Sequence, residues 1–172
     1  VSGSENQYGV ANLGFDNGFE QGALNSAGLV FDGFAMPFLA VNDTIGKINI
    51  SNTEYLPHIM HNFSNVREVK DYFETINLSH MTNSMYLFVD KTGEYLIVEG
   101  DSLILGNDAI FTLSNFYPSQ VSNQDDVKIP FYQNGKNYIE NNSRYSINLK
   151  GYRPLQLSCI LTWKCYSVGY YS

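Results

Sequence analysis

Glu54, His58 and His61 fall at i, i+4 and i+7, a spacing that puts a carboxylate and two imidazoles on one helix face. Such a set could grip zinc or another divalent ion. The plainer reading is a solvated polar stripe opposite Leu56, Ile59 and Phe63, with Pro57 weakening the first turn. No metal and no cofactor are expected. His80 reads as an ordinary surface histidine in a loop. Asp101, Asp108, Asp125 and Asp126 stand at turns, where aspartate serves local hydrogen bonds. Paired-carboxylate glycosidase chemistry would need two of them facing across a cleft. No Gly-x-Ser-x-Gly elbow occurs. Gly14, Gly18 and Gly22 lie four apart, without the strand–Gly-x-Gly-x-x-Gly–helix pattern of a phosphate loop. Cys159 and Cys165 are too few for a disulfide framework and are not spaced as a zinc knuckle. They read as two plain thiols or one small-loop disulfide.

The elements that must position these groups come from 172 residues, about one domain's worth. Aromatic residues reach 15%, enough ring area for burial to offset the entropy of ordering. The net charge of −7 has the wrong sign for a nucleic-acid backbone binder. No apolar run approaches the ~18–20 residues that a bilayer demands, so no membrane span is expected. Residues 1–27 read as turns and short strands. Residues 28–36, with β-branched and aromatic members, read as a buried strand closed by Pro37.

Over 54–76 the period changes. Leu56, Ile59, Met60 and Phe63, then Val66, Val69, Phe73 and Ile76, recur at three- and four-residue steps, which predicts two successive helices. The break falls near Ser64 and Asn65, and Asn65 with Glu68 forms a capping signature for the second helix. Met85–Asp90 and Glu94–Glu99 flank Lys91-Thr92-Gly93 as a hairpin. Ser102–Leu105 and Ala109–Ser114 predict two further strands of an antiparallel meander, one face covered by the 54–76 helices. The expected class is α+β, as one domain over 1–172. Residues 121–142 read as a polar, Asn-rich loop and 143–153 as helical up to Pro154, while 155–172 form a tail with no assignment.

The order of these segments resembles a family. Asn25-Ser-Ala-Gly-Leu-Val, ending at Met36-Pro37, is similar to the Asn-Glu-x-Gly-Leu … Pro segment of choloylglycine hydrolases and penicillin V acylases. Phe63-Ser-Asn-Val-Arg-Glu-Val-Lys, followed by Met85 to Glu94 and Val98-Glu99, resembles the family's helix and its Asp-x-x-Gly … Val-x-Glu hairpin. Thr112-Leu-Ser-Asn115 falls where the family has Leu-Thr-Asn, and Ser143-Arg144-Tyr145 resembles its Ser-Arg-aromatic triplet. The likeness spans about residues 7–150.

The resemblance implies an N-terminal-nucleophile hydrolase of linear, non-peptide amide bonds, folded as an αββα sandwich. Its substrates would be small N-acyl compounds such as bile-salt conjugates, penicillins or acyl-homoserine lactones. In such a site the α-amine of an N-terminal Cys serves as base for its own thiol, and fixed N–H donors hold the oxyanion. By position, Asn115 is the implied amide donor and Arg144 the cation favouring thiolate. Asn25, Phe34 and Ala35 are the implied substrate-binding positions. Ala35 stands where the family has its oxyanion-hole asparagine, and alanine offers no side-chain donor. The family's nucleophile, with an Arg and an Asp, lies several dozen residues before the Asn25 motif. Val1 has no nucleophilic atom, so the chain alone is expected to be inactive. Two other readings stay open: a degenerate relative that binds an amide ligand or a partner chain, and an unrelated α+β binding module. A missing first strand would leave an unpaired sheet edge, so poor solubility or a homo-oligomer is also expected. The compartment stays open between bacterial cytoplasm and periplasm.

Overall fold

A computed structural model describes residues 7–14, 20–108 and 111–142. The chain divides into two compact units, Val1–Asn107 and Asp108–Ser172. The first unit holds β1 (Val10–Gly14), β2 (Glu20–Asn25), β3 (Val30–Ala35), α1 (Asn52–Asn62), α2 (Val66–Phe73), β4 (Ser84–Val89), β5 (Tyr95–Glu99) and β6 (Ser102–Gly106). The six strands form one sheet in chain order, every neighbouring pair antiparallel. The class is α+β, as the alternating periods predict.

Alternation along the strands decides what the sheet buries. Phe31, Tyr86, Phe88, Leu96 and Val98 face a core completed by Tyr55, Leu56, Ile59 and Met60 of α1 and Val66, Val69 and Phe73 of α2. Phe31 lies 5.2 Å, ring to ring, from both Tyr86 and Phe88, and Phe73 reaches Phe88 at 5.7 Å. These edge-on and tilted contacts add to simple area burial. The helices thus cover one sheet face, as expected from their apolar stripes. Residues 85–89 and 95–99 are buried on both faces, the pattern of strands packed from two sides. By contrast Leu13 and Leu24, diagonal neighbours on the β1–β2 pair, are 48% and 47% exposed.

Helix ends follow their capping residues. Asn65 accepts from the backbone N–H groups of Arg67 and Glu68, while Glu68 reaches back to the Ser64 N–H instead of to Asn65. Ser51 caps α1, and the Glu54 carboxylate accepts from its backbone N–H and its hydroxyl. Pro57 is accommodated inside α1, which runs unbroken from Asn52 to Asn62.

The second unit corrects two expectations. Residues 121–142 are not a loop: α3 runs Pro130–Asn142 after short 3₁₀ turns at Pro118–Gln120 and Gln124–Asp126. Asn134, Gly135 and Asn137 lower its intrinsic propensity, but tertiary contacts override that. Pro130 suits a first helical position, Tyr132 packs edge-on against Phe116 at 5.0 Å, and Gln133 donates to the Val127 carbonyl at 2.6 Å. Lys136 pairs with Asp125. Residues 111–114 form no strand, although Thr112, Leu113 and Ser114 are buried in succession. The expected helix at 143–153 and the tail lie outside the described residues.

Candidate active site

Asn25, the head of the first motif, is 3% exposed and its amide is fully used. Nδ2 donates to the carbonyls of Met60 (2.9 Å) and Phe63 (2.8 Å), while Oδ1 accepts from the N–H groups of Ala27 (3.1 Å) and Leu29 (2.9 Å). The side chain therefore clamps the β2–β3 turn to the C-terminus of α1, where carbonyls lack helical partners. No hydrogen remains on Nδ2 for a substrate. Gly28 completes the turn at φ 91°, and a Cβ there would meet Lys91 at 3.1 Å.

β3 carries the motif to its exposed end. Phe34 is 2% exposed and points to the sheet face opposite Phe31, so its ring is enclosed. Ala35 is exposed and lies on the helix-covered face. On that face Ala35 pairs with Ser84, Gly33 with Tyr86 and Phe31 with Phe88. The Tyr55 hydroxyl donates to that of Tyr86 at 3.2 Å and lies 2.9 Å from His80 Nε2. Burial raises the pKa values of both tyrosines and lowers that of His80. His80 is exposed, as expected of a surface histidine, and it also terminates a polar string reaching into the core through Tyr55. The sequence offered only one clue: a tyrosine on an apolar helix stripe needs a partner for its hydroxyl.

Asp90, of the Asp-x-x-Gly turn, is a second structural anchor at 3% exposure. It accepts from Thr92 N (2.8 Å) and Thr92 Oγ1 (2.5 Å), and from the N–H of Val66 at the start of α2 (3.2 Å). A carboxylate there also meets the positive end of the helix dipole. Asn115 is half-buried in the second unit and follows the buried stretch Thr112 to Ser114. Arg144, Cys159 and Cys165 lie outside the described residues.

The Glu54–His58–His61 stripe is dispersed among local partners. Glu54 is held at the α1 N-cap, which lowers its pKa. His61 Nδ1 lies 2.9 Å from the Tyr8 carbonyl, and His58 stacks at 5.0 Å on Tyr72. Among the described residues no three or more His, Cys, Asp or Glu gather as a metal site. No helix there is long and apolar enough to cross a membrane. A cavity of about 220 Å³ lies between α2 and the β5–β6 turn, lined in part by Lys47, Lys70, Phe73 and Asp101. Lys47 pairs with Asp43 and Lys70 with Glu74; of the family-like segments only Lys70 lines it, and Asn25, Phe34, Ala35 and Asn115 do not.

A sequence-family model for linear amide C-N hydrolases, choloylglycine hydrolase family, matches residues 4–143. The chain belongs to that family. Among solved structures it is similar to two variants of conjugated bile acid hydrolase from Clostridium perfringens, at 25% and 24% identity with TM-scores of 0.47 and 0.48. Each match covers 77% of this chain and 42% of that enzyme. Penicillin V acylase from Agrobacterium tumefaciens matches at 13% identity and a TM-score of 0.49, covering 81% of this chain and 41% of the acylase. The chain thus spans about two fifths of the length of these structures. No curated protein sequence matches.

Proposed function

We propose that this chain is part of an enzyme that hydrolyses the linear amide bond of small N-acyl compounds, with conjugated bile acids and penicillin V as the first candidates. The observation that carries this reading is the family match across residues 4–143. In it, an N-terminal cysteine thiolate attacks the amide carbonyl, the C–N bond breaks, and water releases the acyl group. Asn115 donates its amide to the oxyanion or orders the nucleophile's amine, and Arg144 favours the thiolate. Ala35, exposed at the end of β3, borders the substrate carbonyl. A polypeptide of these 172 residues alone is inert in this reading, since its two thiols, Cys159 and Cys165, have no free α-amine.

The test is hydrolysis of penicillin V and of glycine- or taurine-conjugated bile acids, followed by release of the amine. Turnover by the protein at its natural length, absent from the 172-residue polypeptide, is the expected result. Ala35 favours a second reading, a relative that binds amides without cutting them, because the loss of one oxyanion donor costs about 10²–10³ in rate. Saturable binding of the same compounds with no amine released, at natural length, would select that alternative.

A further inference from the structure

We propose that the cavity between α2 and the β5–β6 turn binds a small amino acid or aminosulfonate, reading its acidic group and its ammonium together. Two lysines, Lys47 and Lys70, and three carboxylates, Asp43, Glu74 and Asp101, line it. Lys47 pairs with Asp43 at 2.7 Å and Lys70 pairs with Glu74. In both pairs the lysine is the more covered partner, 17% and 27% exposed against 60% and 53% for the acids. An ammonium carries three N–H donors, so one carboxylate partner leaves donors to spare on each. Asp101 is held differently. Its carboxylate accepts from the backbone N–H groups of Asn42 and Asp43, each at 2.9 Å, and no cation pairs with it among the described residues. With about four acceptor sites on a carboxylate, Asp101 also keeps capacity for a further donor.

Size and charge narrow the ligand. At about 220 Å³ the cavity falls below the roughly 300–1,000 Å³ of pockets that enclose drug-sized molecules. Its floor residues Phe73 and Leu78 are 0% and 4% exposed, so little apolar surface is on offer and the carbon skeleton must be short. Two positive and three negative groups leave the lining one charge negative, which disfavours a simple anion such as phosphate. A simple amine suits Asp101 but leaves the spare lysine donors without an acceptor. A zwitterion supplies both and adds no net charge. The source of the ligand rests on the amidase reading above. When an N-acyl amino acid is hydrolysed, water gives its hydroxyl to the acyl carbon and a proton to the nitrogen. The released amine is then a zwitterion at neutral pH, whereas the substrate carries no ammonium. The cavity therefore tells product from substrate. Asn25, Phe34, Ala35 and Asn115 do not line it, so it is a second place for that product.

The experiment titrates glycine and taurine into the protein at its natural length and follows binding by calorimetry. Saturable binding with a dissociation constant on the order of 1 mM is expected. Propionate and ethylamine each lack one of the two charges and should bind about tenfold more weakly or worse. Asp101→Asn keeps an oxygen for the Asn42 and Asp43 N–H groups and removes the charge, and it should weaken glycine about tenfold. Lys47→Gln and Lys70→Gln should do the same without touching that fastening, each at an unchanged melting temperature. No saturation by about 10 mM overturns the site. So does propionate or ethylamine binding as tightly as glycine, or glycine binding that all three variants leave unchanged. If glycine binding fails these tests while conjugated bile acids or penicillin V are still cut, the site falls and the amidase reading stands. If glycine binds as expected but no amide is cut, the site stands and the amidase reading falls.

Discussion

Asn25 shows how much one side chain can carry when every one of its hydrogen-bonding functions is spent. Asn25→Ala removes two N–H donors from the carbonyls of Met60 and Phe63 and the one oxygen that accepts from the turn N–H groups of Ala27 and Leu29. Buried groups left unsatisfied cost about 1–3 kcal/mol each, with strong non-additivity. A loss of about 2–4 kcal/mol is expected in urea unfolding, and a loss under ~0.5 kcal/mol, the range of ordinary surface changes, would show that the clamp is not made. His80 gives the residue scale its pH dependence. Burial holds its imidazole below the ordinary value of 6.5. The unfolded chain then binds the proton more readily, so stability is full above pH ~6.5 and falls as the pH drops through that value toward the folded pKa. His80→Gln should flatten this part of the stability profile, measured as urea midpoints between pH 7.5 and 5; an identical slope in both proteins would remove His80 from the linkage.

Elements were legible where their period was strong. α1, α2 and the β4–β5 hairpin each carry an unbroken apolar pattern and a turn or cap residue with one mechanical meaning. α3 was not, because its Asn and Gly residues imitate a loop, while the packing of Tyr132, the bonds of Gln133 and the pairing of Lys136 with Asp125 hold it. The site divides in the same way. Motif order singled out Asn25, whose side chain serves as a structural clamp, and Ala35, whereas the Tyr55–His80 contact joins a helix stripe to a loop and leaves no trace in spacing. Register also stayed hidden, including the pairing of Tyr95 with Gly106. A Cβ on Gly106 would lie 2.1 Å from the Tyr95 ring, which is 5% exposed and so has little room to swing. Gly106→Ala should therefore cost about 1–3 kcal/mol by overpacking. Adding Tyr95→Val should cancel that increment in a double-mutant cycle, and additive costs would refute the clash.

At the scale of the molecule, the uneven covering of the sheet matters most. β4 and β5 are buried on both faces, but Leu13 and Leu24 leave an apolar patch beside an edge strand. Exposed edges of this kind pair with other chains. The 172-residue polypeptide is expected to self-associate as its concentration rises, and Leu13→Lys with Leu24→Lys to shift it toward monomer in sedimentation velocity. Equal sedimentation of both proteins would place any association elsewhere. The sheet's chain-order topology has a kinetic consequence as well. Four of its five strand pairs are joined by a short connection, and only the β3–β4 seam must bring together segments separated by 36–83. Loop closure of that length delays contact formation, so the hairpins should zip first and the seam last. Ala35 and Ser84 sit on that seam, which makes the exposed end of β3 a late-ripening part of the fold: substitutions there should quicken unfolding while leaving the refolding rate almost untouched.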